Sequence, residues 1–98
     1  MTSSIPSWSV YILRCSDGSF YVGHTADVHE RLSYHSEGRG PVYTAVRRPV
    51  QLVFAEEHES LESALKRERQ LKRWTRAKKD ALIAEDPKRL HALAKRRH

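Results

Sequence analysis

A single cysteine, Cys15, excludes an intrachain disulfide and leaves no material for a cysteine-ligated zinc knuckle. The histidines (His24, His29, His35, His58, His91 and His98) form no metal-ligand spacing with it. No apolar run approaches membrane-spanning length, so no membrane partner is expected, and no secretory leader opens the sequence, so a cytoplasmic protein is expected. A glycine-rich phosphate loop is absent, which leaves NTP hydrolysis unsupported. There is no internal repeat. With 98 residues, 39% of them hydrophobic, the chain has too little apolar material for two cores, so one domain over 1–98 is expected, a sheet layer covered by helices.

What is present is positive charge, unevenly placed. The net charge is +6, but residues 1–65 carry −3 and residues 66–98 carry +9. Such asymmetry fits a polyanion bound by the C-terminal part, and a solvated helical tail accounts for it equally well.

Hydrophobic patterning gives the element order. Trp8 to Cys15 and Ser19 to Gly23 read as strands around the turn signal Ser16-Asp17-Gly18. A two-residue turn would put Tyr11 and Tyr21 on opposite faces. A three-residue loop with Gly18 in the left-handed conformation pairs 15 with 19 and 13 with 21 and puts both tyrosines on one face, and this loop is the one expected. Asp27 and Glu30 suggest a capping box that opens a helix to about Ser36, ended by Gly38 and Gly40. Gly38 to Arg48 reads as a surface loop and Val50 to Glu56 as a third strand. Ser60 would cap a helix to about Trp74, Thr75 another to about Ala84, and Asp86-Pro87 a last one. The expected class is α+β: a three-stranded antiparallel sheet flanked by helices, in the order β-β-α-β-α-α, with a core over about 8–83 and a basic tail over 84–98.

Helix phase singles out polar residues on apolar stripes. Leu61, Ala64, Leu65, Leu71 and Thr75 share one stripe, and Glu68 lies near its centre. A carboxylate there is costly unless it is paired or binds a metal. A core-edge glutamate bonded to an arginine is the competing account. In the earlier helix, Arg31 and His35, four residues apart, lie on the side of Val28 and Leu32. Taken singly they would be an ion-paired arginine and a satisfied histidine. Two sheet-facing stripes that each carry ionisable groups suggest one shared site, on the side to which Tyr11 and Tyr21 would point.

These residues resemble a known pattern. Ser9-Val10-Tyr11 with Ile12-Leu13, and Tyr21-Val22-Gly23, are similar to the two halves of the GIY-YIG endonuclease signature, with serine in place of the first glycine. Arg31, His35 and Glu68 fall where that family has its helix arginine, its following histidine or tyrosine, and its metal-binding glutamate. Ile12 to Gly18 and Arg47 to Val53 further resemble the small stand-alone bacterial subfamily. The resemblance covers about residues 8–83. It implies a GIY-YIG-like fold and hydrolysis of a DNA phosphodiester with one divalent cation, Mg²⁺ or Mn²⁺, held by Glu68. Arg31 would meet the charge developing on phosphorus. Tyr11 would take the proton of the attacking water, directly or through a further water, Tyr21 would hold the nucleophile or phosphate, and His35 would bond Tyr11 or the phosphate. Each tyrosine alone would be a core aromatic. His24 stands where many members of that family have lysine or a small residue; protonated it would contact phosphate as lysine does, and neutral it would only share hydrogen bonds.

Further contacts to nucleic acid are expected from Tyr43, Thr44, Arg47 and Arg48 in the glycine-bounded loop, and from the basic segment Arg69, Lys72, Arg73, Arg76, Lys78 and Lys79. An ordinary basic loop explains the first group as well. Trp74 would stack on a base or, more simply, anchor the helix pair. Lys88-Arg89 and Lys95-Arg96-Arg97 would add sequence-independent affinity. No sequence-reading domain is evident, so single-stranded or branched DNA is favoured, in repair, recombination or defence. A monomer or weak dimer is expected. Two alternatives stay open: a binding module without catalysis, and a nuclease subunit targeted by a protein partner.

Overall fold

The computed structural model describes residues 7–84; the expected last helix and the basic tail lie outside them. Three strands, β1 (Trp8–Arg14), β2 (Phe20–Thr25) and β3 (Gln51–His58), form an antiparallel sheet in the order β2-β1-β3. The hairpin closes as expected. Cys15 N–H donates to the Ser19 carbonyl at 2.8 Å, Gly18 sits at φ 85, and Leu13 pairs with Tyr21. Tyr11 therefore stands opposite Gly23, on the same face as Tyr21. Toward β3 the register slips between the Ile12–Phe54 and Leu13–Leu52 pairs, leaving Val53 as the extra residue of a bulge. β3 runs two residues further than the hydrophobic run suggested.

The four helices are α1 (Val28–Ser36), α2 (Val42–Ala45), α3 (Leu61–Arg73) and α4 (Arg76–Ile83). Asp27 caps α1 by accepting from Glu30 N–H, but the capping box is only half made, because the Asp27 N–H goes to Thr25 Oγ1. The α1 C-terminus is a Schellman motif: Gly38 at φ 80 donates to the His35 carbonyl and Arg39 to that of Tyr34, each at 3.0 Å. The expected surface loop 38–48 contains the short helix α2, which its β-branched and aromatic sequence Val42-Tyr43-Thr44 conceals. The order is thus β-β-α-α-β-α-α.

Strand alternation separates two layers. Val10, Ile12 and Val22 face α3, where Ala64 and Leu71 complete a core ringed by Trp8, Phe20, Phe54, Trp74, Leu82 and Ile83. Tyr11, Leu13 and Tyr21 point to the other face, toward α1 and α2. The two helices with polar residues on apolar stripes thus lie on opposite sides of the sheet, not on a shared side. Helix phase measures an angle about one axis and cannot tell which face of a sheet a helix covers. Leu61, expected on the buried stripe, is 39% exposed at the first turn of α3.

Candidate active site

β2 is an edge strand, so the two sides of the sheet meet around it. On the tyrosine side, β1 supplies Tyr11, β2 supplies Tyr21, α1 supplies Arg31 and His35, and α2 supplies Thr44 and Tyr43. The rings of Tyr11 and Tyr21 lie 6.4 Å apart, and that of His35 is 5.9 Å from the first and 5.2 Å from the second. Tyr11 Oη is 2.9 Å from His35 Nε2 and His35 Nδ1 is 2.8 Å from Thr44 Oγ1. Gly23 is what lets Tyr11 cross β2: a Cβ at position 23 would stand 2.6 Å from the Tyr11 hydroxyl.

On the other side, α3 brings Glu68 to the β2 edge. Its Oε1 lies 2.5 Å from His24 Nδ1 and its Oε2 2.8 Å from Lys72 Nζ. A groove lined by Phe20, Tyr21, Val22, Tyr43, Lys72 and Lys79 runs along β2 and joins the two sides. Sequence reasoning found Glu68 but passed over the Lys72 ammonium as its partner, although the i, i+4 spacing on α3 announces it.

Electrostatics follow from this arrangement. Burial raises the Tyr11 phenol well above its ordinary value, Tyr21 and Glu68 add to the rise, and Arg31 opposes it. Tyr21 is raised chiefly by burial, with Lys72 and Arg31 opposing and Glu68 reinforcing. Glu68 therefore acts on both phenols. Its own carboxyl is pushed up by burial, but the hydrogen bonds and charges of Lys72 and His24 prevail and hold it below the usual carboxylate value. Burial, then Arg31, lowers His35, which favours the neutral imidazole.

The remaining expected contacts divide. Arg69, Lys72 and Arg73 are exposed on α3, and Lys66, Arg69, Gln70, Arg73 and Trp74 line an outward groove. Trp74 packs against the core with Arg67 and Lys78 on its ring, so it anchors the helix pair. Two contacts are corrected. Thr44 is fully buried and touches His35 and the Pro41 carbonyl, out of reach of a nucleic-acid strand. Lys78 is 8% exposed, its ammonium held over Trp74. Arg47 binds Asp17 and stacks on Tyr43, Arg48 bonds the Ala45 carbonyl, and Arg76 bonds the Gly18 carbonyl over Phe20, so each ties one part of the fold to another. His24 meets Glu68 and not open solvent alone. Lys79 borders the β2 groove.

Paired tyrosines, a helix arginine and histidine, and a glutamate from a separate helix around one sheet edge define a class. The chain belongs to the GIY-YIG family, a family of nucleases: the GIY-YIG catalytic domain matches residues 7–80. It is similar to the UPF0213 protein of Staphylococcus aureus strain Mu3, at 53% identity over 76 residues, covering 78% of this chain and 93% of that protein. The solution structure of the UPF0213 protein BH0048 from Bacillus halodurans aligns with a TM-score of 0.54 at 40% identity, covering 82% of this chain and 85% of that one. That of the protein EF2693 from E. faecalis gives 0.57 at 38% identity, covering 81% and 84%. Among the described residues, no helix is long and apolar enough to cross a membrane.

Proposed function

We propose that this protein is a metal-dependent DNA endonuclease whose site is Tyr11, Tyr21, Arg31, His35 and Glu68, with selectivity for single-stranded or branched DNA. The observation that carries the reading is the convergence at the β2 edge of a bonded Tyr11–His35 pair and a Glu68 carboxylate whose field reaches both tyrosines.

Among the described residues no group of three or more His, Cys, Asp or Glu could hold a metal. The site nonetheless fits a hard cation that keeps most of its waters, because such an ion needs one or two carboxylates and Glu68 supplies one. The Lys72 ammonium already lies at one of its oxygens, so the carboxylate attracts positive charge at this spot. Mg²⁺ or Mn²⁺ held by Glu68 would polarise the scissile phosphate and stabilise the leaving oxygen.

The chain's own residues supply the proton path. A neutral Tyr11 is a poor base, and its raised pKa rules against a standing phenolate. It accepts the proton of the attacking water as its own hydroxyl proton passes to His35 Nε2. The water oxygen bonds phosphorus, the bond to the leaving ester oxygen breaks, and His35 ends as imidazolium. Arg31 faces the charge gathered on the phosphoryl oxygens. Tyr21, lining the groove, holds the phosphate or the water. Exposed Arg69, Lys72 and Arg73 on α3 offer contacts to flanking phosphates.

The test is cleavage of labelled single-stranded, duplex, flap and four-way-junction DNA with Mg²⁺ or Mn²⁺, by the native protein and by Glu68→Ala. Cutting that needs the metal and is lost in the variant is expected, strongest on single-stranded or branched substrates. Binding without cutting by both proteins alike would replace the enzyme with a binding module, and activity restored by a co-purifying protein would make the chain a targeted subunit.

A further inference from the structure

We propose that Thr44 is a positioning residue that holds neutral His35 in one tautomer, with its proton on Nδ1 and a bare Nε2 turned to Tyr11. The proposal rests on the nuclease reading for its place in the reaction, but the tautomer itself follows from hydrogen-bond accounting alone.

Three buried groups form a chain: Tyr11 Oη to His35 Nε2 at 2.9 Å, His35 Nδ1 to Thr44 Oγ1 at 2.8 Å, and Thr44 Oγ1 to the Pro41 carbonyl at 3.2 Å. His35 is 1% exposed and Thr44 0%, so water offers little substitute for a partner missing at either, and Tyr11 is 3% exposed. The chain holds three hydrogens: one on the phenol, one on the imidazole and one on the threonine hydroxyl. Among the described residues the Tyr11 hydroxyl makes no hydrogen bond except that to His35. Its hydrogen must therefore go to Nε2, since a buried O–H without an acceptor is costly. A bare Nε2 places the imidazole proton on Nδ1, which donates to Thr44 Oγ1, and the threonine hydrogen then goes to the Pro41 carbonyl. This assignment gives every hydrogen an acceptor. The reverse direction strands the Tyr11 hydrogen and loses the bond to Pro41.

The close approach is built into the backbone. A Cβ on Gly40 would lie 2.5 Å from His35 Nδ1 and 3.0 Å from Thr44 Oγ1, so a side chain at position 40 would force histidine and threonine apart. Pro41 follows at once and presents its carbonyl as the N-cap of α2, where it accepts from both Thr44 Oγ1 and Ala45 N–H. The loop that carries Gly40, Pro41 and Thr44 thus serves the catalytic histidine from behind. Around the imidazole stand Tyr11 from β1, Tyr21 from β2, Arg31 and Tyr34 from α1, and Thr44 from α2, and none of these is a carboxylate that would draw the Nδ1 proton elsewhere. In the reaction the bare Nε2 is what receives the Tyr11 proton.

Nitrogen-15 NMR of the imidazole rings at neutral pH reads the tautomer directly, in the native protein and in Thr44→Val, Thr44→Ser and Gly40→Ala. Native His35 is expected to be protonated on Nδ1. Thr44→Val keeps the shape, removes the hydroxyl and should abolish that preference, and Thr44→Ser should restore it. In parallel, kcat for DNA cleavage should fall on the order of tenfold or more in Thr44→Val, with KM little changed and serine rescuing, as when a base loses the partner that fixes its tautomer. Gly40→Ala should follow Thr44→Val in both readouts. A native His35 with its proton on Nε2 overturns the proposal, as does a Thr44→Val protein with unchanged tautomer. An altered tautomer with undiminished kcat removes Thr44 from the reaction. If the native protein cuts no DNA, the nuclease reading falls, and the NMR result still decides whether Thr44 sets the tautomer.

Discussion

Tyr11 shows how position changes the use of a side chain. It is buried and hydrogen bonded, and burial holds its proton on. In the proposed reaction a phenol in that state becomes a base only in concert with a neighbour that accepts its proton, so His35 would work in its neutral form. Burial and Arg31 place the His35 pKa below its ordinary value of about 6.5. Because the proposed reaction requires the neutral form, activity should be lost as pH falls through the lowered pKa, and the acid limb of kcat/KM should lie below pH 6.5. A limb at or above that value would assign it to another group. Glu68→Gln keeps size and hydrogen bonding but removes the charge. It should lower metal-dependent cleavage by at least about a hundredfold while leaving DNA binding in the absence of metal intact, which gel-shift and cleavage assays on the same protein would show. The five residues proposed for the site were legible in sequence as types at a spacing. That His24 bonds Glu68 was not, because His24 is 44 residues away and only the packing of β2 against α3 brings the two together.

At the level of elements, the hairpin and α1 do most to set the site. The three-residue loop fixes the register, and register decides whether Tyr11 and Tyr21 share a face. Gly23→Ala should push the Tyr11 ring away from the strand it crosses, since the new methyl would meet the hydroxyl at 2.6 Å. Cleavage should drop sharply while the far-ultraviolet circular dichroism stays near that of the native protein. Activity near the native level would mean that Tyr11 has room to relax. The α1 helix is held at its start by Asp27 and at its end by the Gly38 motif, so that Arg31 and His35 occupy fixed turns. Asp27→Ala should cost about 1 kcal/mol in denaturant unfolding, the usual loss for a removed N-cap. Both ends of this helix were readable from sequence because caps are local chemistry. The α2 helix was not, because Val42-Tyr43-Thr44 has weak helical propensity and is held by burial of Thr44 against His35.

At the scale of the molecule, the basic surface of α3 separates from the β2 edge. Arg69 and Arg73 line a groove with Trp74, away from the tyrosines. Removing both by Arg69→Ala/Arg73→Ala should weaken DNA binding and flatten its salt dependence. If both hold phosphates, the slope of log K against log salt should become shallower by about 1.4 on single strands and about 1.8 on duplex. An unchanged slope would place the DNA elsewhere. The rate of cutting at saturating DNA should change little, because neither residue lies among the groups that surround Tyr11 and His35.

The amino-acid order alone determined the strands, the helix caps, the loop length of the hairpin and the identity of the polar residues on apolar stripes. Each of these depends on neighbours within a few positions, where hydrogen-bonding geometry and side-chain periodicity act directly. Tertiary structure decided the rest. It placed α1 and α3 on opposite faces of the sheet and made β2 the edge around which their polar groups meet. It turned Thr44 from a surface residue into the support of His35 and closed Lys78 against Trp74. Those outcomes depend on which faces bury one another across dozens of residues, and no local pattern carries that information.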